Sequence, residues 1–324
     1  MDKELYDAYI VTTASDMERV KPLQDRMIRY LPVRYVYFVG SEEVGKLIEK
    51  EAEEGDIGEE ALKKVRFLDE NEILPFEEAA CVMEECMQEL LNGDPIPRGA
   101  VGWYYQQFLK YLIAYRTDNE YYLVWDGDTV PCKEFSMFSE NGIPYLDTKH
   151  EFHEMYFEEL GRLIPGMQKI FEQSFVAEHM LFKTDIVKKL ISKIEANDDI
   201  KGRSFWEKIF YSLSAYELNG TAFSEYETYG TYIAYTDMLA YRMREWHSFR
   251  YGSMFFDINK ISESDLEWLG HDFFAISFEK NQAPREDTRG IFDNPEYQKK
   301  LSAKQILLIA QREFDEGALK EKWD

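Results

Sequence analysis

The chain of 324 residues carries 62 acidic and 38 basic side chains, which gives a formal net charge of −24. Such a charge repels the phosphates of nucleic acids and of anionic membranes, so we expect neither as a partner. A hydrophobic content of 45% is enough to fill the core of one large domain. The three cysteines form no CxxC pair, and we find neither a signal peptide nor a transmembrane run. We therefore expect a cytoplasmic protein.

The first half of the sequence alternates strand and helix patterns. Residues 6–13 predict a buried strand, and Asp16 is predicted to cap a helix that continues through Pro22 to Leu31. Later elements are strands at 34–40, 65–70 and 121–126 and helices at 41–55, 76–91 and 103–115. Repeated strand–helix–strand units predict a mainly parallel sheet, with ligands bound beyond the carboxyl ends of its strands. Thr12 and Asp69 lie at such ends.

The second half is less regular. Its predicted elements are a strand, turn and helix within 174–195, a helix at 203–218, a helix within 223–236, a strand at 273–280, and an amphipathic helix at 302–316 with Ile306, Ile309, Ala310 and Phe314 on one face. We expect one α/β domain over 1–285. A C-terminal helical extension (286–324) follows.

The stretch YYLVWDGDTVP (121–131) places Asp126 and Asp128 directly after an apolar strand. Two carboxylates this close raise each other's pKa unless a cation lies between them, and Mn²⁺ or Mg²⁺ suits such oxygen ligands. Asp-Gly is also typical of turns, so the pattern has a purely structural interpretation as well.

Two metal-dependent chemistries use this pattern. One is phosphoryl transfer of the haloacid-dehalogenase type, with Asp126 as nucleophile and Asp128 as general acid. The other is sugar transfer from a nucleotide-sugar. The phosphatase motif normally lies on the first strand of its domain, with a second acidic motif after a later strand. Here three strands precede it, and Asp198 and Asp199 lie in a polar turn. The context favours sugar transfer.

Several ordered blocks resemble a bacterial family of GT-A-type glycosyltransferases met in polysaccharide-synthesis regions. They are GWYYQQFLKYLIAYRTDNEYYLVWDGDTVP, HEMYFEELGRLIPG, SFVAEHMLF, FSEYETYGTY and AISFEK. The resemblance implies a GT-A-like (Rossmann-like) mixed, mainly parallel sheet flanked by helices. It divides the domain into a nucleotide-binding half (1–130), where Thr12 and Asp69 are expected on the nucleotide side, and an acceptor half (131–285). It also implies a hexosyltransferase-type enzyme that takes a nucleotide-diphospho-sugar, foremost a UDP-sugar, with Mn²⁺ or Mg²⁺, and a glycan or lipid-linked acceptor. An oligomer is compatible with this prediction, and a non-catalytic nucleotide-sugar-binding protein is a further alternative.

Two pairs of polar residues are candidates for contacts with the nucleotide-sugar. Gln106 and Lys110 lie one turn apart on the helix before the aspartates, where they either contact the ligand or form a solvated face. Glu178 and His179 lie in an otherwise apolar strand. Buried charge is costly without a partner, so they either satisfy each other or face the donor sugar or acceptor.

The helix that begins in FSEYETYG offers a catalytic base. Ser224 and Glu227 match a capping box, which explains Glu227 structurally. Glu225 has no such duty, and the helix dipole is expected to lower its pKa and keep it ionised. We predict that Glu225 is the base of an inverting transfer, with Glu227 as the alternative.

Histidine and basic residues near the C-terminus complete the candidate set. His247 is the predicted third metal ligand, with His271 second in rank. Each has the alternative of a surface or packing role. Arg250 and Lys280 are candidates for contacts with the diphosphate.

Overall fold

The computed structural model describes residues 6–150, 152–285, 290–292 and 294–309. The strands are β1 (Asp7–Val11), β2 (Val36–Gly40), β3 (Val65–Asp69), β4 (Tyr121–Trp125), β5 (Thr129–Pro131), β6 (Tyr145–Thr148), β7 (His179–Lys183), β8 (Arg242–Glu245), β9 (Ser248–Phe249) and β10 (Ala275–Ser277).

The helices alternate with the strands in the first half and cluster in the second. They are α1 (Ala14–Val20), α2 (Gln24–Tyr30), α3 (Glu42–Glu54), α4 (Glu59–Leu62), α5 (Glu70–Ile73), α6 (Phe76–Leu91), α7 (Arg98–Leu112), α8 (Glu154–Leu163), α9 (Thr184–Glu195), α10 (Phe205–Ser212), α11 (Ala215–Asn219), α12 (Glu225–Thr236), α13 (Gly252–Phe255), α14 (Glu263–Asp272) and α15 (Pro295–Gln298). No helix among the described residues is both long and apolar enough to cross a bilayer.

A five-stranded sheet in the order β3-β2-β1-β4-β7 forms the centre of the fold. Its strands are parallel except β7, which runs antiparallel to β4. Alternate residues of β4 face opposite sides: Tyr122 and Val124 pack in one core cluster, Leu123 and Trp125 in another. Helices cover both faces, which is why most residues of these strands are apolar. The edge strand β3 also carries Arg66 and Asp69. The predicted mixed, mainly parallel α/β sheet is confirmed.

A smaller sheet continues directly from the central strand. β5 pairs with β10, and β10 with β9. Phe249, Phe255, Phe256, Phe273 and Phe292 fill the core beneath it. Because β5 begins only four residues after β4 ends, Asp126 and Asp128 lie on the turn that joins the two sheets. The sequence analysis found β10 but missed β5, β6, β8 and β9.

Several predicted boundaries near the N-terminus are wrong. Thr13, and not Asp16, caps α1, and Asp16 lies in its first turn. The predicted continuous helix is interrupted at Lys21–Leu23 by a 3₁₀ turn that contains Pro22. Proline lacks the N–H that an α-helix interior needs, so the α-helix is interrupted there.

Three later predictions also differ from the structure. The predicted turn between β7 and α9 is absent, since α9 begins directly after Lys183. The single helix predicted at 203–218 divides into α10 and α11, because Ser214 caps a new helix. Helical backbone covers 303–309, where Ile306 is buried but Ile309 is 47% exposed. Ala310 and Phe314 lie outside the described residues.

Candidate functional site

The Asp126–Gly127–Asp128 turn lies at the carboxyl end of β4, next to the end of β1. The Asp126 carbonyl accepts a hydrogen bond from the Thr129 amide at 3.1 Å, which closes the turn. A Cβ at position 127 would lie 3.1 Å from Ile10 Cγ2 and 3.4 Å from Thr12 Oγ1. Glycine therefore allows the turn to approach β1 closely. The Asp126 side chain remains 33% exposed.

Lys110 on α7 reaches this turn from the protein interior. Its ammonium is 2.8 Å from Asp126 Oδ1 and 2.6 Å from Glu225 Oε1, and its side chain is only 5% exposed. Because Lys110 is buried, the solvated-face alternative is wrong for this residue, and its contact with the ligand stays a prediction. Lys110 joins the strand end to the first residue of α12 through two ion pairs.

Three polar residues that the sequence analysis missed hold this cluster. Tyr226 donates a hydrogen bond to Asp126 Oδ1 at 2.9 Å and lies 3.1 Å from the Lys110 ammonium. Tyr111 donates to the Glu225 carbonyl at 2.6 Å, and Gln107 accepts from the Glu225 amide at 2.9 Å. We call Lys110, Asp126, Glu225 and Tyr226 the open cluster, because Asp126 is partly exposed. The alternation of acidic and tyrosine residues in SEYET was the available signal.

Charge and burial shift the proton affinities in the open cluster. Burial alone would lower the pKa of Lys110, but the charges of Asp126 and Glu225 outweigh burial and raise it. Burial raises the pKa of Glu225; Lys110 opposes this rise and Asp126 adds to it. Burial, followed by the charges of Asp126 and Glu279, raises the pKa of the neighbouring Asp128 to about 7. The region carries an excess of carboxylates over cations and favours an additional positive charge.

The environments of Glu225 and Glu227 differ from those predicted. Glu225 was expected to have a lowered pKa at the helix start, but its side chain is 5% exposed and its pKa is raised. Glu227 does not complete a capping box: Ser224 caps the Glu227 amide, whereas the Glu227 carboxylate accepts from Ser174 Oγ and the Phe175 amide. The helix dipole is outweighed at Glu225 because the desolvation of a buried carboxylate has the greater effect on its pKa.

One interpretation of the sequence was that Glu178 and His179 satisfy each other. In the structure they bind different partners. Glu178 precedes β7 in the left-handed region at φ 58°, and its carbonyl accepts from the Asp126 amide at 2.9 Å. Its carboxylate contacts Lys149, Ser248 at 3.0 Å and Arg250 at 3.3 Å. Strained backbone of this kind is concentrated at functional sites. Glu178 therefore stays a candidate site residue, through its contact with the Asp126 backbone.

His179 points the other way, into a closed environment. His179 Nδ1 donates to the Ala177 carbonyl at 2.8 Å, and Nε2 lies 2.8 Å from Asp147 Oδ2. Arg244 binds the same carboxylate at 2.6 and 2.8 Å. The side chains of His179 and Asp147 are 0% and 2% exposed. Both ring nitrogens of His179 are engaged by the protein, so this geometry does not support a contact with the nucleotide-sugar, which stays a prediction. We call Asp147, His179 and Arg244 the closed cluster.

The remaining predicted nucleotide-side residues lie at strand ends or on α7. Thr12 lies against Gly127 and is half-buried. Asp69 ends β3 and caps α5 by accepting from the Asn71 amide at 2.8 Å, which gives it a structural duty. Gln106 is half-buried on α7, while its neighbour Gln107 is the residue engaged in the open cluster.

The C-terminal candidates are exposed or already paired. His247 is 45% exposed, with Nδ1 3.8 Å from Glu245, and His271 is exposed on α14. Arg250 pairs with Glu178 and Glu279, and Lys280 is exposed. Across the described residues, no three His, Cys, Asp or Glu side chains form a group that could hold a metal ion. The structure therefore does not bring His247 to Asp126 and Asp128.

Two carboxylates nevertheless fit one divalent cation of the Mg²⁺ or Mn²⁺ type. These ions commonly take one or two protein carboxylates and fill the remaining positions with waters and substrate phosphates. Asp126 Oδ1 is engaged by Lys110 and Tyr226, which leaves Oδ2 for a ligand. Burial, and after it the charge of Asp126, raises the pKa of Asp128, so a cation between the two carboxylates would favour their ionised forms.

The fold and the carboxylate pair define an α/β protein whose candidate ligand site lies at the carboxyl end of a central strand. Residues 33–292 match a family of unknown function, DUF6492, and the chain belongs to that family. A search of the curated proteins found no match.

Three of the solved structures that match this chain, all at low sequence identity, are glycosyltransferases. The galactosyltransferase LgtC, in complex with donor and acceptor sugar analogs, shares 12% identity over 91% of this chain and 96% of its own, at a TM-score of 0.41. An active-site mutant of LgtC shares 12% identity over 86% of this chain and 88% of its own, at a TM-score of 0.39. Mouse xyloside xylosyltransferase 1, in its apo form, shares 9% identity over 68% of this chain and 83% of its own, at a TM-score of 0.31. At these TM-scores the similarity does not establish a function.

Proposed function

We propose that the protein transfers a glycosyl group from a nucleotide-diphospho-sugar to a glycan or lipid-linked acceptor, with Mn²⁺ or Mg²⁺ as cofactor. The observation that carries the proposal is the pair Asp126 and Asp128 on the turn after β4, with one carboxylate partly exposed and fixed by Lys110 and Tyr226. Donor identity as a UDP-sugar and a role in polysaccharide assembly rest on the sequence resemblance.

Asp126 and Asp128 are the residues that would hold the metal. When bound there, a divalent cation neutralises the charge that develops on a diphosphate leaving group. Thr12 lies beside the same turn, and Gln106 lies on the helix that carries Lys110. We assign both to the nucleotide side. Glu178 fixes the approach of β7 to the turn through its carbonyl.

Lys110 and Glu225 prepare this site before any ligand arrives. Lys110 holds Asp126 Oδ1 and is itself held by Glu225 and Tyr226, so the exposed carboxylate cannot rotate freely. This makes Glu225 a positioning residue that acts through Lys110. Because its carboxylate is buried and paired, Glu225 is a poor candidate for the base of an inverting transfer. Without Glu225 as the base, the prediction of an inverting transfer loses its catalytic residue. The anomeric configuration of the product decides between inversion and retention.

The phosphatase alternative is not favoured by any contact in the site. Asp126, its required nucleophile, accepts hydrogen bonds at Oδ1 from Lys110 and Tyr226. The phosphatase also needs a second acidic motif after a later strand. Glu279 follows β10, but its carboxylate pairs with Arg250 at 2.9 Å. Asp198 and Asp199 lie in a turn after α9, away from any strand end.

The test is incubation with a panel of nucleotide-sugars and Mn²⁺, with release of the nucleotide measured with and without acceptor sugars. We expect metal-dependent release with one donor class and loss of release in Asp126→Asn. The control is Asp198→Asn, which changes an aspartate outside the site. Release that is unaffected by Asp126→Asn would contradict the metal role, and turnover of simple phosphate esters lost in that variant would favour the phosphatase.

A further inference from the structure

A cavity of about 190 Å³ lies beside the carboxylate turn, between α1 and the segments around α13 and β10. Its wall residue Phe278 donates its amide hydrogen to the Asp128 carbonyl at 2.8 Å, so the cavity adjoins the proposed metal site. At roughly 30 Å³ for each water molecule of the liquid, the volume equals about six waters, the size of one substituted ring. Among the residues predicted for the donor side, Lys280 lines it, whereas Thr12, Gln106 and Lys110 do not.

Two buried polar atoms of the cavity lining have no hydrogen-bond partner. Arg19 uses its terminal nitrogens on the Phe278 carbonyl and on Asp16, which leaves Nε unpaired. Gln282 donates through Nε2 to the Arg250 carbonyl at 2.7 Å, which leaves Oε1 unpaired. Buried polar atoms are normally satisfied, and both of these atoms belong to side chains that line the cavity. A small rotation of either side chain would bring its unused donor or acceptor to a ligand there.

The charges around the cavity are largely compensated. Arg19 pairs with Asp16 at 3.3 Å, Asp257 with Lys260 at 3.0 Å, and Glu279 with Arg250 at 2.9 Å. Lys280 is exposed at the rim. A cavity with balanced charge and unpaired hydrogen-bonding atoms favours a neutral polar ligand over a phosphate.

The distribution of polar residues selects among neutral ligands. Apolar walls come from Phe256, Ile258, Phe278 and Pro284, whereas the polar lining residues are Arg19, Ser253, Asp257, Glu279, Lys280 and Gln282. A nucleobase carries its polar atoms along the edge of a flat ring and offers no polar group to the walls above and below that ring. A sugar carries hydroxyls around its whole ring and can use polar groups on several walls, while its C–H face lies on a phenyl ring.

We propose that this cavity binds a neutral monosaccharide unit of the acceptor. Arg19 Nε donates a hydrogen bond to one hydroxyl, and Gln282 Oε1 accepts one from another. The inference rests on the proposed glycosyl transfer and narrows its acceptor to a chain or lipid-linked unit that ends in an uncharged sugar.

The test is saturation-transfer NMR with free neutral hexoses and N-acetylhexosamines in the absence of nucleotide. Arg19→Lys keeps the charge but removes the Nε donor, and Gln282→Leu removes the acceptor. Each should weaken the affinity for the bound sugar about two- to tenfold, the range of one net hydrogen bond. Gln88→Leu, on the exposed face of α6, is the matched control and should bind the sugar normally. Circular dichroism checks folding, and Gln282→Leu decides alone if Arg19→Lys does not fold.

A parallel titration with nucleotide-sugars and Mn²⁺ separates the two proposals. Donor binding that is unchanged in both variants, together with weakened sugar binding, supports the acceptor site. Donor binding without binding of any free sugar overturns this inference and leaves the proposed function standing. If the variants weaken the binding of the nucleotide-sugar but not that of the nucleotide, the cavity binds the glycosyl group of the donor. This result also overturns the inference of an acceptor site. Failure of every nucleotide-sugar to bind overturns the proposed function, and this inference with it.

Discussion

Two buried charged clusters flank the end of β4, and they differ in whether the protein itself completes them. In the closed cluster, Asp147 receives two hydrogen bonds from Arg244 and lies against His179, and no carboxylate oxygen is left over. In the open cluster, Lys110 serves two carboxylates, and one of them, Asp126, is 33% exposed. A cluster that is saturated from within stabilises a fold, whereas one that remains short of positive charge at the surface is prepared for a ligand.

The difference predicts the largest effect on stability for Asp147→Ala. Loss of this carboxylate leaves Arg244 and His179 without their buried partner, which should lower the free energy of unfolding by about 3–5 kcal/mol. Urea denaturation measures it. The control is Asp185→Ala, because Asp185 forms an exposed pair with Lys189 at 3.1 Å and should cost less than about 1 kcal/mol. Equal losses in the two variants would remove the structural role of the closed cluster.

Asp128→Ala should show the opposite profile: a stable protein that has lost its ligand. We expect donor affinity in the presence of Mn²⁺ to fall by more than about 100-fold, the upper effect of mutating a residue that only supports a metal ligand. Calorimetry with the matched nucleotide-sugar measures it, and thermal unfolding should remain near that of the parent. Unchanged donor affinity in Asp128→Ala would show that the carboxylate turn is not a metal site.

Glu225→Gln sharpens the distinction between positioning and base catalysis. If Glu225 acts through Lys110, both donor affinity and kcat should fall, each by roughly tenfold or less, because glutamine still accepts the hydrogen bond. A general base would instead cost about 10²–10⁴ in kcat with donor affinity unchanged. Glu227→Gln is the control, since glutamine can still accept from Ser174 and Phe175. A collapsed rate in Glu227→Gln beside a normal Glu225→Gln would transfer the base role to Glu227.

The smallest expected effect is a pair of opposite pH dependences. Burial would raise the pKa of Asp147, but hydrogen bonds from Arg244 and His179 outweigh it and lower that pKa below the ordinary 3.8. Its contribution to stability is therefore present above pH 3.8 and lost as the pH falls below it. The pKa of Glu225 is raised above 4.5, so its contribution is complete below pH 4.5 and lost as the pH rises.

Urea denaturation between about pH 3 and about pH 8, on either side of the ordinary carboxyl pKa range, tests both signs. The deficit of Asp147→Asn relative to the parent should shrink at low pH, and Glu225→Gln should gain on the parent as the pH rises. Parallel curves for the two variants would contradict the assignment of one cluster as charge-saturated and the other as short of a cation.

Much of the fold was readable from local sequence because its signals are local. The mainly apolar runs at 7–11, 36–40 and 121–125 have the composition of strands buried on both faces, and each became a strand of the central sheet. The less apolar run at 65–69 became its edge strand, β3. Asp126 and Asp128 were identified for the same reason, since a strand end and two carboxylates can be recognised within one short stretch. The short strands β5, β6, β8 and β9 gave no such signal, because pairing partners far along the chain define them.

The sequence by itself determined the α/β sheet, the position of the aspartate pair and the presence of Lys110 one helix away. Only the tertiary structure decided what these residues do to one another. Lys110 and Glu225 are 115 residues apart, and no local pattern encodes their 2.6 Å contact. The adjacent Glu178 and His179 looked alike, yet their partners differ. Glu178 has a positive φ and accepts from the Asp126 amide through its carbonyl, whereas His179 lies in the closed cluster. Burial and charge pairing depend on which distant surfaces the fold brings together, and a linear pattern does not contain that information.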